Sequence, residues 1–238
     1  MDLAIVIPVL NEAESLMPLL DEITTVLTGQ TGFEIIVVDD GSTDATRDEL
    51  SSHLGDFPGL RVVRHQARYG QSAAIATGVD AARTRWIVTL DGDGQNDPAD
   101  ILRFYHTLRQ APADVGLVIG YRTRRRDSLL RLLSSRIANR VRGLILGDDT
   151  PDSACGLKAF ARETFLRLPR FDHMHRFLPA LVRRQGGRVL SVEITQRART
   201  GGRSKYGLHN RLWVGIVDLM GVWWLKRRAL RPVVEERI

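Results

Sequence analysis

The feature that most constrains this chain is a repeated alternation. A short, continuous, β-branched apolar run is followed each time by a stretch with helical spacing. Leu3 to Val9 (LAIVIPV) reads as a buried strand that stops near Pro8. From Asn11 a helical pattern follows, with Leu16, Leu19, Leu20, Ile23, Val26 and Leu27 on one face. Glu34 to Val38 is a second strand, ending in Asp39-Asp40-Gly41-Ser42, and Ser42 or Thr43 is suited to cap the next helix. Leu60 to Arg64 is a third strand, Gly70 to Ala82 an Ala-rich helix, and Trp86 to Leu90 a fourth strand. A helix opens near Asp97-Pro98, and Val115 to Gly120 is a fifth strand. Beyond it lie a basic helical stretch from Ser128 to Gly147 and strand candidates at Leu157 to Phe160 and Arg188 to Ile194. Strands that are apolar throughout are buried on both faces. The pattern therefore predicts an α/β fold, a mostly parallel central sheet with helices on both faces.

Composition narrows the class. At 238 residues the chain can bury a full core, and 43% hydrophobic with 26% charged residues excludes disorder as its main state. The net charge of +6 points to an anionic partner: nucleic acid, a phosphorylated ligand or an acidic membrane surface. Cys155 is the single cysteine, so no internal disulfide forms and a reducing compartment fits. No basic stretch precedes the first apolar run, which argues against a signal peptide and for a cytoplasmic protein.

In a parallel α/β sheet, ligands bind beyond the carboxyl ends of the strands. Two such ends are acidic here, Asp39-Asp40 and Asp91-Gly92-Asp93. The first pair serves equally well to cap a helix or to accept hydrogen bonds from a base or ribose. The second is more specific. Two carboxylates one residue apart can converge on a hard divalent cation, with the Gln95 carbonyl as a neutral oxygen ligand. A cation in a basic protein suggests a phosphorylated ligand, to which Arg122 would add contacts.

The strings IPVLNEAESL (Ile7 to Leu16), VVDDGSTDAT (Val37 to Thr46), ARYGQSAAIATG (Ala67 to Gly78) and LDGDGQNDP (Leu90 to Pro98) resemble the family 2 glycosyltransferases, inverting enzymes with the GT-A, Rossmann-like nucleotide-sugar-binding fold. DSACGLKAF (Asp152 to Phe160), HRFLPAL (His175 to Leu181) and RTGGRSKYGL (Arg199 to Leu208) are similar to the polyprenyl-phosphate branch, which includes dolichol-phosphate mannose synthase. The resemblance implies donor contacts from Pro8, Leu10 and Glu12, from Val38, Asp39 and Asp40, and from Asp91, Gly92, Asp93 and Gln95. Leu10 stands where the family often has an aromatic. Mg²⁺ or Mn²⁺ would be held by Asp91, Asp93 and Gln95, and Arg122, Arg203 and Lys205 would close on the donor. Arg122, Ser135 and Arg136 would hold the acceptor phosphate, which makes Asp91, Asp93, Arg122 and Arg136 the catalytic set.

The implied reaction moves a sugar from a GDP- or UDP-linked donor to a polyprenyl phosphate, with inversion. A lipid monophosphate is already ionised near neutral pH, since its second pKa is about 6, and needs positioning rather than a general base. The alternative is a saccharide acceptor, which would need a carboxylate base such as Asp152. A receiver-like signalling domain would explain Asp39-Asp40 but not Asp91-Gly92-Asp93 or the basic half.

Eight arginines and one acid, Asp127, lie between Arg122 and Arg142, beside a stripe of Leu129, Leu132, Leu133, Ile137 and Val141. That composition suits a helix on anionic lipid better than a nucleic-acid surface, which would interleave aromatics. Leu212 to Leu225 (LWVGIVDLMGVWWL) would extend about 21 Å as a helix, short of the roughly 30 Å hydrocarbon core. With Trp213, Trp223 and Trp224 and the flanking Arg211 and Lys226-Arg227-Arg228, it reads as an interfacial helix or a docking face for a separate membrane subunit. The expected organisation is a glycosyltransferase domain over 1–208 and an interfacial helix with a tail over 209–238, peripheral to the membrane. His175 alone of the six histidines falls in a family string, and Cys155 reads as a packed small side chain.

Overall fold

The computed structural model describes residues 1–122, 140–197 and 209–229. Ser135, Arg136, Arg203 and Lys205, and most of the 128–147 stretch, lie outside the described residues. Seven strands form one sheet: β1 (Leu3–Val9), β2 (Phe33–Asp39), β3 (Leu60–Arg64), β4 (Trp86–Thr89), β5 (Val115–Arg122), β6 (Lys158–Ala161) and β7 (Arg188–Ile194). Their spatial order is β3-β2-β1-β4-β6-β5-β7. Every neighbouring pair is parallel except the two made by β6, which runs antiparallel between β4 and β5. The sheet is mostly parallel, as the apolar runs predict.

Helix α1 (Ala13–Leu27) buries Leu16, Leu19, Leu20, Ile23 and Leu27, the stripe expected from Asn11 onward. At about 1.5–3 kcal/mol for each buried aliphatic side chain, this face anchors the helix. It packs with α2 (Thr46–Ser52) and α4 (Ala99–Gln110). On the other face α3 (Gln71–Ala81) lies on β1 and β2. Its approach is so close that a Cβ on Gly78 would meet Val6 Cγ1 at 2.4 Å.

One capping expectation is corrected. Helix α2 starts after Ala45, not after Ser42 or Thr43. Those two residues bind Asn11 instead: the Asn11 amide donates to Ser42 Oγ at 2.9 Å, and Thr43 N donates to Asn11 Oδ1 at 2.7 Å. Asn11 takes a left-handed conformation (φ 53°) to make this link, which an asparagine tolerates better than most residues.

Beyond β5, residues 140–146 are helical (α5). Buried Arg142 donates to the Thr150 carbonyl at 2.6 Å and to Ser153 Oγ, and pairs with Asp148 at 3.1 Å, which fixes the loop that carries Asp152. Then follow β6, α6 (Arg162–Leu166), a 3₁₀ turn at Met174–Arg176, α7 (Leu178–Arg184), β7 and α8 (His209–Arg227). Helix α8 packs on α7. Arg184 Nε donates to the Leu225 carbonyl at 2.8 Å, and His173 Nδ1 lies 3.0 Å from Asp218. Among the described residues no helix is long and apolar enough to cross a membrane.

Candidate functional site

Strands β1, β2 and β4 are parallel neighbours, so their carboxyl ends share one edge, where loops 10–12, 40–42 and 91–95 meet. The sheet order reverses at β1, which places the crevice between the ends of β1 and β4. The two loops are stitched together there. Ser15 Oγ donates to the Gly92 carbonyl at 2.8 Å, and a Cβ on Gly92 would meet Val9 Cγ1 at 2.7 Å. Only glycine between the two aspartates allows that contact. A cavity of about 420 Å³ opens beside Glu12 and Ser15, bounded by Asp44.

Asp91 is largely buried. Its Oδ1 accepts from Gln71 Nε2 at 2.9 Å, and its carboxylate lies directly over Gly156, where a Cβ would meet Oδ2 at 2.1 Å. Burial first, and the charge of Asp93 second, raise the Asp91 carboxyl from its ordinary 3.8 to about 6. The two carboxylates thus repel each other, and the charges of Lys158 and Arg122 offset burial and that repulsion only in part, so an added cation would be favoured there. Among the described residues no three His, Cys, Asp or Glu side chains gather as a ready-made metal cluster. Two carboxylates alone leave most of the six oxygen positions of a hard cation to be filled by a ligand. Asp93 Oδ1 accepts from Gln95 N at 3.2 Å. Gln95 Oε1 already accepts from Gln196 Nε2 at 2.7 Å, which leaves that carbonyl one lone pair for a metal.

Arg122 ends β5 and forms a two-pronged pair with Asp152, Nε to Oδ2 at 2.6 Å and NH2 to Oδ1 at 3.1 Å. Burial works against the guanidinium charge, but Asp152 outweighs it and keeps Arg122 firmly protonated. Lys158 is buried close by, donating to the Cys155 carbonyl. Burial pulls its ammonium down, and the charges of Asp91 and Asp152 partly restore it. Cys155 packs on Gly120, and burial pushes its thiol up to about 11, so it is a packed and inert side chain.

The nucleotide-side residues divide. Pro8, within the carboxyl end of β1, and Leu10 and Glu12, in the loop after it, remain partly exposed. Val38 is fully buried under α3 and presents no side chain to the crevice. Asp39 Oδ1 accepts from Ser42 N at 2.9 Å. Asp40 is 4% exposed and accepts from Tyr69 N, Gly70 N and the His65 ring, at 2.8, 2.8 and 2.7 Å. Both aspartates thus brace the 40–42 and 67–70 loops, and neither caps α2 or α3 through its side chain. Sequence reasoning missed Gln71, Gly156, Lys158 and Gln196. The first three lie within strings quoted above, but nothing in their spacing says that they converge on Asp91.

This architecture matches solved structures of glucosyl-3-phosphoglycerate synthase from Mycobacterium tuberculosis. The complex with Mn²⁺, UDP and phosphoglyceric acid gives a TM-score of 0.71 at 20% identity, over 97% of this chain and 80% of that one. The complex with Mg²⁺ and UDP gives 0.69 at 19% identity, over 94% and 79%. The fold is GT-A. The model of glycosyl transferase family 2 matches residues 4–168, and the chain belongs to that family. A curated relative, dodecaprenyl-phosphate galacturonate synthase of Rhizobium johnstonii, is 37% identical over 237 residues, 98% of this chain and 69% of that protein. The undecaprenyl-phosphate 4-deoxy-4-formamido-L-arabinose transferase of Yersinia pestis is 34% identical over 208 residues, 86% of this chain and 62% of its own length.

Proposed function

We propose that the protein transfers a sugar from a nucleotide-sugar donor to a polyprenyl phosphate, with inversion, at a membrane surface. The observation that carries this reading is the Asp91-Gly92-Asp93 strand end, in a chain similar over 98% of its length to a polyprenyl-phosphate sugar synthase. Asp91 and Asp93, with the Gln95 carbonyl, would hold Mg²⁺ or Mn²⁺. When bound, the cation neutralises the diphosphate as it leaves. Pro8, Leu10 and Glu12 border the nucleoside end of the crevice. Arg122, held in one orientation by Asp152, offers fixed positive charge beside the reacting phosphates. On the resemblance, Ser135 and Arg136 complete the acceptor-phosphate set, and Arg203 and Lys205 close over the donor.

The Arg122–Asp152 pair favours the lipid phosphate over a saccharide acceptor. A saccharide hydroxyl must lose a proton, and the Arg122 guanidinium on both oxygens of Asp152 stabilises the ionised carboxylate and so opposes its taking one. A phosphate acceptor needs no such base.

Peripheral membrane association is supported by α8. Val217, Met220 and Trp224 on it are 66%, 64% and 52% exposed, while Val222 is buried against the body. Arg227 lies over the Trp223 ring and Arg228 over Trp224, an aromatic and cationic rim suited to the headgroup layer. On α5, Val141, Leu144 and Ile145 are also exposed, and the two helices meet where Lys226 Nζ donates to the Leu146 carbonyl.

The test is direct. Purified protein is incubated with undecaprenyl phosphate, Mg²⁺ or Mn²⁺ and a panel of GDP- and UDP-sugars, and the organic phase is analysed for lipid-linked sugar. Product with at least one donor, lost in EDTA, is expected. Folded protein that forms none with any donor overturns the reading.

A further inference from the structure

The 172–176 segment packs against the first turn of α3. His175 and Ser72 are both buried, and His175 Nδ1 lies 2.7 Å from Ser72 Oγ. The His175 amide donates to the same hydroxyl at 3.1 Å. Nδ1 and Oγ form this hydrogen bond in either tautomer of the neutral ring, with Oγ donating to a bare Nδ1 or accepting from a protonated one. Burial, with Lys158, Arg176 and His173 nearby, keeps the ring uncharged. His173, just before the turn, takes a left-handed conformation (φ 62°), which persists only where the surroundings enforce it.

Gln71, next to Ser72, opens the same turn and donates to Asp91 Oδ1 at 2.9 Å. The turn is held twice: Asp40 takes the Tyr69 and Gly70 amides, and His175 takes Ser72. Gln71 therefore reaches Asp91 from a fixed base. Gly156 beneath the carboxylate supplies no side chain that could hold it from below.

We propose that Gln71 and His175 are positioning residues for Asp91: His175 locks Ser72, and Gln71 on the turn so fixed holds the carboxylate beside Asp93. The proposal rests on the donor-site reading above. It assigns a task to the GQS string and to His175 that neither a nucleotide contact nor a packed core histidine explains.

The test uses the full chain with Gln71→Ala, His175→Ala and His175→Asn. An asparagine amide stands where Nδ1 stands and restores the Ser72 contact, but leaves nothing in place of Nε2. Affinity for UDP is titrated with Mn²⁺ and with EDTA, and each variant is melted. Gln71→Ala and His175→Ala should each weaken Mn²⁺-dependent UDP binding about tenfold, and His175→Asn should recover to within about threefold of the parent protein. Parent-like affinity in Gln71→Ala overturns the proposal, whether or not His175→Ala folds. His175→Asn as weak as His175→Ala also overturns it, since Nε2 would then act directly. A crystal structure of metal-free Gln71→Ala gives a readout independent of binding. Asp91 should move to another rotamer, and an unmoved carboxylate refutes the positioning role. Failure of the unmodified protein to bind either UDP or GDP with any cation would instead count against the donor-site reading and leave this crystallographic test standing.

Discussion

Replacing Asp91 by asparagine should make the metal-free protein more stable while disabling its site. Burial and Asp93 raise the folded carboxyl to about 6 from 3.8, which corresponds to at most about 3 kcal/mol. Water in the crevice screens part of this, so about 1–3 kcal/mol is the working range. The unfolded chain releases this proton near 3.8 and the folded chain only near 6. The folded state is therefore penalised fully above pH 6, progressively less as the pH falls, and not at all below 3.8. Asparagine keeps an oxygen for Gln71 but carries no charge. For a chain of this size the variant should melt about 3–10 °C higher than the parent at pH 7.5 in EDTA. That gain should vanish near pH 4, and Mn²⁺ with UDP should shrink it by stabilising the parent alone. Calorimetric melts between pH 4 and 8 measure this. Equal melting at pH 7.5, or a gain that does not change with pH, would refute the electrostatic reasoning.

Other outcomes follow from the same geometry. Gly156→Ala would put a methyl 2.1 Å from Asp91 Oδ2 and displace the carboxylate. A misplacement of that order should weaken cation-dependent UDP binding about 10²-fold, read by titration, with the fold retained by circular dichroism. Asp152→Asn loosens Arg122 without removing a base. Steady-state kinetics should show kcat lowered about tenfold, and a loss near 10⁴-fold would restore Asp152 as a proton acceptor. Met220→Glu with Trp224→Glu alters an exposed face, so sedimentation with anionic vesicles should be lost while stability changes by only about 0.5 kcal/mol for each substitution.

The strands were legible because each is a nearly unbroken apolar run, and α1 because its stripe is regular. What the sequence could not convey was the antiparallel β6. KAFA carries no mark of direction, and its place between β4 and β5 depends on pairing distant in the chain. The cap of α2 was misplaced for a related reason. Ser42 and Thr43 have the right chemistry, but a long-range partner, Asn11, competes for them. The same divide runs through the site. Asp91, Asp93 and Arg122 are proposed on residue type and strand end. Their supports could not be read so, because Gln71, Asp152 and Lys158 converge only after folding. Asp40 illustrates the opposite case, a carboxylate whose partners lie 25–30 residues away and fix a loop.

The central claim is that Asp91 and Asp93 hold a nucleoside diphosphate through a divalent cation. Calorimetric titration of UDP and GDP into the protein, and into Asp93→Ala, with Mn²⁺ or with EDTA, tests it most directly. Binding of at least one nucleotide to the parent only when Mn²⁺ is present, and to Asp93→Ala under neither condition, is the predicted result. Equal affinity in EDTA, or undiminished Mn²⁺-dependent binding by Asp93→Ala, would contradict it.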